Sequence, residues 1–240
     1  MITLKTLLEY VTGHVFSILG YHSISDDASD VLSVSVDQFS AQMDILHSQG
    51  YRVVSLGCLL SDACLKSIEK KTVILTFDDG YSDFLSNALP ILMKYKYPAT
   101  LFIVPGQVGG CSSWQVSNLR KPLLDWPSVI KVSGMGYEIG SHSLNHRRLT
   151  GLSDSELNDE LASSRKMLED KILKPVECFS YPWGDFGPRE EEAVRASGYK
   201  CAVTVRNVRG NRRVCNTFQL ERKIMIHKDS LADFMAKASS

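Results

Sequence analysis

Short apolar runs alternate along this chain with longer stretches of helical spacing. The runs Val15-Phe16-Ser17-Ile18-Leu19, Arg52-Val53-Val54-Ser55, 72–77, Thr100-Leu101-Phe102-Ile103-Val104, Tyr137-Glu138-Ile139-Gly140-Ser141 and Val176 to Tyr181 read as strands, as do about 200–205 and 222–226. Between them, Phe39, Met43 and Leu46 recur at helical spacing behind Asp37 as N-cap and stop at Gly50. Residues 82–96 predict a helix with Phe84, Leu85, Leu89, Leu92 and Met93 on its apolar side and a kink at Pro90. Asp125 to Lys131 predicts a helix that tolerates Pro127 in its first turn. Ser153-Asp154-Ser155-Glu156 is a capping box opening a helix to about Asp170, with Leu157, Leu161 and Leu168 facing the core. A helix over 188–197 ends at Gly198, and a short terminal one starts near Ser230. Residues 56–69 read as a helix-containing connection, and 107–121 as a long loop over the strand ends.

Such alternation calls for an α/β fold of parallel strands with right-handed crossovers. A closed (β/α) barrel and an open doubly wound sheet both satisfy it. Polar residues collect at the ends of many different strands, which favours a barrel, because an open sheet gathers them only near its switch point. The expectation is one domain over 1–240, with about seven parallel strands and room for a distorted or incomplete closure. Residues 1–70 form its N-terminal segment.

Composition narrows the partners. Lys plus Arg, at 27, equals Asp plus Glu, at 27, so no net field favours nucleic acid or anionic lipid. A neutral substrate suits that balance better than a polyanion. No stretch approaches the roughly 20 apolar residues of a membrane span. Met1 to Gly20 does not read as a signal peptide, since Glu9 and His14 interrupt any apolar region, and a cytoplasmic location is the expectation. The six cysteines, Cys58, Cys64, Cys111, Cys178, Cys201 and Cys215, lack C-x-x-C spacing and are expected as free thiols rather than a disulfide framework.

Candidate chemistry begins at Thr76-Phe77-Asp78-Asp79-Gly80, where an apolar strand stops at two carboxylates. An Asp-Gly turn is one reading. A site is the other, because two ionised carboxylates at a buried strand end need a cation or a hydrogen-bond network. His142 and His146 decide between them. Their four-residue spacing beyond a strand places both imidazoles on one side of a helical turn, and Asp79 adds an oxygen. Two nitrogens and one oxygen are the ligand count of a catalytic zinc-type centre with a position left for water. Asp78 is then placed to take that water's proton. In a regular strand Asp78 and Asp79 would face opposite ways, so the strand must break there, which Gly80 permits. The same closeness argues against the opposed carboxylates of a glycosidase.

These residues, in order with Tyr181-Pro182-Trp183-Gly184, resemble the NodB-like polysaccharide deacetylases of the carbohydrate esterase 4 type, over at least 72–205. Gly20-Tyr21-His22 and the segment Phe39 to Val54 are similar to the branch with the biofilm poly-N-acetylglucosamine deacetylases. The resemblance implies a (β/α) barrel and metal-dependent removal of acetyl groups from an N-acetylated sugar or glycan. It implies Asp78 as general base and Asp79, His142 and His146 as ligands of a divalent metal, with zinc favoured by the donor set. A backbone N–H near Tyr181 is the expected oxyanion donor, and Tyr181, Pro182, Trp183 and Arg222 are grouped as candidate substrate or oxyanion residues. Trp183 and Trp126 are candidates to stack on a sugar ring.

Two departures qualify the match. Many members open the third motif with an arginine that orients the base, but Ser180 stands there, and Arg222 is a candidate substitute. The general acid is open between His22, as the biofilm branch implies, and His227 after the last strand. Two other functions stay in view: a degenerate barrel that binds carbohydrate without turnover, and a metal-dependent amidohydrolase on a non-sugar amide. Oligomeric state is not readable from the chain.

Overall fold

The computed structural model describes residues 16–65, 68, 71–114, 120–205 and 216–239. Cys215, most of the Met1 to Gly20 stretch and part of the connection 56–69 lie outside the described residues.

Parallel strands wrapped by helices form the molecule. Strand β3, Thr72–Phe77, pairs along its whole length with β1, Phe16–Tyr21. Its other side is shared: β2, Arg52–Val54, takes the first half and β4, Thr100–Ile103, takes Thr76 and Phe77. The ladder continues through β5 (Glu138–Ser141), β6 (Cys178–Ser180), β7 (Cys201–Thr204) and β8 (Leu220–Glu221), every pairing parallel. Strand β9, Lys223–Ile224, then pairs with β1. Only Arg222 separates β8 on one edge from β9 on the other, so one segment of chain stitches the two edges together. The predicted barrel is therefore nearly closed, and the expected strand at 222–226 is found at 220–224.

Alternation along the strands sorts the core into two layers. Phe16 and Ile18 of β1, Ile74 of β3, Phe102 of β4, Cys178 of β6, Val203 of β7 and Leu220 of β8 pack together as one buried cluster inside the barrel. Their neighbours Leu19, Tyr21, Val73, Leu75, Phe77, Leu101, Phe179 and Ala202 belong to a second cluster shared with the helices. Two inward positions are glycines because something else fills their space. A Cβ on Gly140 would lie 2.5 Å from the Phe102 ring, and one on Gly20 would lie 2.5 Å from Ile224 Cδ1 of the closing segment.

The outer layer holds α1 (Val36–Ser48), a short α2 (Asp62–Leu65), α3 (Leu89–Tyr95), α4 (Trp126–Gly134), α5 (Asp154–Ile172), α6 (Pro188–Ala196) and α7 (Leu231–Ala238). The capping box of Ser153 with Glu156 forms as its sequence predicts. Helix α1 is capped by Ser35 rather than Asp37, because Ser35 and Gln38 exchange the two capping hydrogen bonds. The predicted helix over 82–96 divides into a wider π-type stretch, Phe84–Ala88, and α3, with Pro90 in its first turn. Met93 faces solvent at 52% exposure, against the expectation of a core position.

The cysteine reading is corrected at one pair. Cys58 and Cys64 form a disulfide, their Cα atoms 5.3 Å apart across a 3₁₀ turn and α2, within the span such a bond requires. Cys111, Cys178 and Cys201 are free, the last two buried.

Candidate metal centre and its cavity

The inward register of the barrel interior continues past the strand ends and delivers the candidate residues. Counting by twos from Phe16, Ile74, Glu138, Cys178 and Leu220 arrives at His22, Asp78, His142, Ser180 and Arg222. Asp78 still belongs to the ladder, its N–H donating to the Tyr21 carbonyl at 2.9 Å. The strand breaks at the next residue, as the paired carboxylates demand. Asp79 has φ 72° and Gly80 φ 74°, and the Gly80 N–H turns back to the Asp78 carbonyl at 2.9 Å. A left-handed non-glycine residue costs on the order of 1–3 kcal/mol and persists only where its surroundings impose it. Here it keeps Asp79 in the barrel mouth instead of turning it outward.

The histidine segment differs from its predicted helical turn. His142 extends β5 through an N–H bond to the Ile103 carbonyl at 2.8 Å, but Ser143 (φ 61°) and His146 (φ 58°) are both left-handed. A loop therefore brings His146 back beside His142. Buried Glu160 of α5 holds it in place, accepting from the Asn145 N–H at 2.8 Å and from Asn145 Nδ2 at 3.0 Å.

Asp79 Oδ1 lies 3.6 Å from His142 Nε2 and 3.5 Å from His146 Nε2, and all three side chains are buried. Among the described residues that oxygen has no hydrogen-bond partner. An orphaned buried carboxylate oxygen facing two imidazole nitrogens is costly unless a cation completes it. The donor set fits a divalent ion: three ligand atoms lie within 4.8 Å of one another. His142 Nδ1 is 2.8 Å from the Ser180 carbonyl, so it carries the ring's proton and leaves Nε2 as the coordinating nitrogen. Burial pushes the Asp79 carboxyl up to about 6, with the Asp78 charge adding to it, and burial takes the His146 imidazole down to about 2.

Asp78 is held differently. Arg222 Nη1 and Nη2 grip its two oxygens at 2.7 and 2.5 Å, and the same guanidinium reaches Thr76 Oγ1 and Ser180 Oγ at 3.1 and 3.0 Å. Burial raises the Asp78 carboxyl, but the Arg222 and His142 neighbours outweigh it and hold it well below the usual carboxylate range. The place of the missing third-motif arginine is thus taken from the closing strand. Arg222 does not line the cavity, so its grouping with substrate or oxyanion contacts is corrected: it touches the base. His22 Nε2 stands 4.0 Å from Asp78 Oδ2 and lines the cavity, its pKa lowered by burial despite the Asp78 charge. His227 is not among the cavity's lining residues, and its N–H binds the Val31 carbonyl at 2.9 Å.

The cavity has a volume of about 530 Å³. Asp78, Asp79, His142 and His146 form its floor, and Val31, Leu32, Trp114, Trp183 and Ile224 are among its walls. Trp183 has φ 62°, is 40% exposed and carries the Arg148 guanidinium 4.8 Å from its ring centre. Tyr181 lines the cavity, and its own N–H is committed to the Val203 carbonyl at 3.1 Å. Two expectations are corrected. Pro182 is buried and not part of the lining. Trp126 packs beside the core, its ring 5.6 Å from Lys171 Nζ, away from the cavity.

Sequence reasoning missed Trp114 and Tyr81. Both line the cavity beside Asp79, and the Trp114 indole stacks on the His146 ring at 4.4 Å between centroids. The available signal was a tryptophan in an aperiodic polar loop, where no core face needs one. Lys121, in a half-buried pair with the cavity residue Asp30 at 2.6 Å, also bonds Ser23 at 2.9 Å and ties that loop to the end of β1.

Comparisons with known proteins agree with this geometry. The sequence model of the family described as "Polysaccharide deacetylase" matches residues 66–202. A Bacillus subtilis protein named "Putative polysaccharide deacetylase YxkH" is 32% identical over 190 residues, covering 78% of this chain and 63% of that protein. The poly-beta-1,6-N-acetyl-D-glucosamine N-deacetylase of Staphylococcus aureus is 29% identical over 174 residues, covering 70% of this chain and 59% of that enzyme. This chain thus spans about three fifths of these curated relatives. Among solved structures, the Streptococcus pyogenes deacetylase PplD in complex with acetate superposes with a TM-score of 0.79 at 23% identity, covering 94% of this chain and 98% of that one. IcaB from Ammonifex degensii gives 0.75 at 23%, covering 95% and 98%. At such identity these two likenesses speak for the fold.

Proposed function

The chain belongs to the polysaccharide deacetylase family, and on that premise we propose that it is a metal-dependent deacetylase that hydrolyses the N-acetyl amide of an N-acetylated glycan to a free amine and acetate. The observation that carries the reading is the orphaned Asp79 Oδ1 between His142 Nε2 and His146 Nε2 at the floor of an open cavity. The named activity of the Staphylococcus aureus relative makes β-1,6-linked poly-N-acetylglucosamine the first substrate to try.

A divalent ion held by those three atoms, zinc being favoured by two imidazoles and a carboxylate, would polarise the acetyl carbonyl and make its bound water acidic enough to attack at neutral pH. Asp78 Oδ2, 3.9 Å from His142 Nε2, would take the proton of the attacking water. Arg222 favours the ionised carboxylate so strongly that Asp78 is a transit point for the proton. His22 Nε2 lies 4.0 Å away on the cavity wall, its pKa lowered by burial. It would receive the proton and pass it to the amine as the C–N bond breaks, while the acetyl group leaves with its new C–O bond as acetate. His22, not His227, is therefore the proposed general acid. Trp183, half exposed at the lip, offers a flat apolar face to a pyranose ring.

The degenerate-barrel reading rested on Ser180, and the Arg222 grip on Asp78 removes its motive. The direct test is acetate release from β-1,6-linked N-acetylglucosamine oligomers, set beside other N-acetylated glycans and simple acetamides. Release from glycans supports the proposal; release confined to the simple amides turns it to a non-sugar amidohydrolase.

A further inference from the structure

Ligand histidines are ordinarily oriented by a hydrogen bond from the ring nitrogen that does not face the metal, and carboxylate ligands by bonds to their second oxygen. The two histidines of this centre differ in that respect. His142 has its bond, from Nδ1 to the Ser180 carbonyl at 2.8 Å. His146 Nδ1 is buried and, among the described residues, has no partner at all. Its ring, on a left-handed residue, is fixed by packing: the Trp114 indole lies across its face at 4.4 Å and 22° between planes, and Trp183 meets it more steeply at 5.2 Å and 65°.

Trp114 and Tyr81 line the same cavity as Asp79, and both side chains favour its ionised form. Its Oδ1, which faces the two histidines, has no hydrogen-bond partner among the described residues.

We infer that Trp114 is a positioning residue of the metal centre, which holds the His146 ring by stacking in place of the hydrogen bond that this ring lacks. The inference rests on the metal site proposed above and adds the residue that shapes it. Removing such outer support typically weakens metal binding by about 10- to 100-fold.

Zinc affinity of the full chain, measured by competition against a chromophoric chelator, tests it without any reference to turnover. Trp114→Ala is expected to bind zinc at least about tenfold more weakly than the unmodified chain. Trp114→Phe, which keeps a stacking ring, is expected to stay closer to the unmodified chain than Trp114→Ala does. The phenylalanine variant also keeps the test valid should the alanine variant fail to fold, and the metal-free melting temperature of each variant separates a fold effect from a site effect. Affinity unchanged in both variants overturns the inference while leaving the metal site standing. An unmodified chain that binds no zinc overturns the metal site and this inference together.

Discussion

Arg222 grips Asp78 by two parallel charge-assisted bonds, Nη1 to Oδ1 at 2.7 Å and Nη2 to Oδ2 at 2.5 Å, from the single residue at which the barrel closes. Closure of the fold and orientation of the proposed base are thus one event. Removing either partner of a buried pair strands the other charge, at a cost of about 3–5 kcal/mol. Arg222→Met is expected to lose stability of that order at pH 7, read by denaturant unfolding. The sign with pH follows from Asp78. With Arg222 present its folded pKa is depressed, so its stabilising contribution exists above the unfolded value and is lost as pH falls through the folded one. Without the guanidinium, burial dominates and the carboxyl rises above its ordinary value. The variant's deficit should then shrink on acidification, and its kcat/KM should fall at a higher pH than that of the unmodified chain. A deficit that grows toward low pH would contradict this.

Ser180 marks the place where many relatives carry arginine, yet the space beside it is full. Its hydroxyl accepts from Arg222 Nη2 at 3.0 Å, and its side chain is completely buried. Ser180→Arg is expected to fold poorly or to lose several kcal/mol, because overpacking and a second buried cation both act against it. Ser180→Ala, which removes only hydrogen bonds, is expected to cost about 1 kcal/mol. Thermal melts of the two variants give the comparison. An arginine that is tolerated would mean that Arg222 does not occupy the site as described.

His22 and His227 separate cleanly by geometry, since His22 lines the cavity and His227 does not. His22→Gln is expected to lower kcat by about 10²- to 10⁴-fold, the usual worth of a positioned acid, without weakening zinc binding. His227→Gln should leave kcat within about twofold. Acetate-release kinetics on both variants check it, and a large loss in His227→Gln alone would reverse the assignment.

The element order and the inward aim of Asp78 and His142 were legible in the chain for a common reason: strand alternation. Inward parity runs unbroken from Phe16 to His22 and from Ile74 to Asp78, so a period of two read on the apolar residues also aims the polar ones. What escaped reading is what breaks parity or comes from afar. The left-handed turns at Ser143 and His146 are imposed by packing, such as the Glu160 anchor of Asn145, and neither residue is a glycine that would announce it. The Cys58–Cys64 bond depended on a local turn with no motif. Trp114 sits in a stretch without periodicity, where only the folded chain reveals that an indole lies over His146. The commitment of the Tyr181 N–H to Val203 is a matter of how far the β6–β7 ladder extends, which sequence places only to within a residue or two.

The central claim joins Asp79, His142 and His146 as ligands to Asp78 as base, and Asp78→Asn pulls these apart because the amide keeps the shape but cannot take a proton. The decisive measurement is acetate release from an N-acetylated glycan by the chelator-stripped chain and by its Asp78→Asn variant, each titrated with zinc. The unmodified chain should be inactive when stripped and regain full release at about one zinc per chain. The variant should bind zinc with similar affinity and release no acetate. Release that survives stripping, or that persists in Asp78→Asn, would contradict the account.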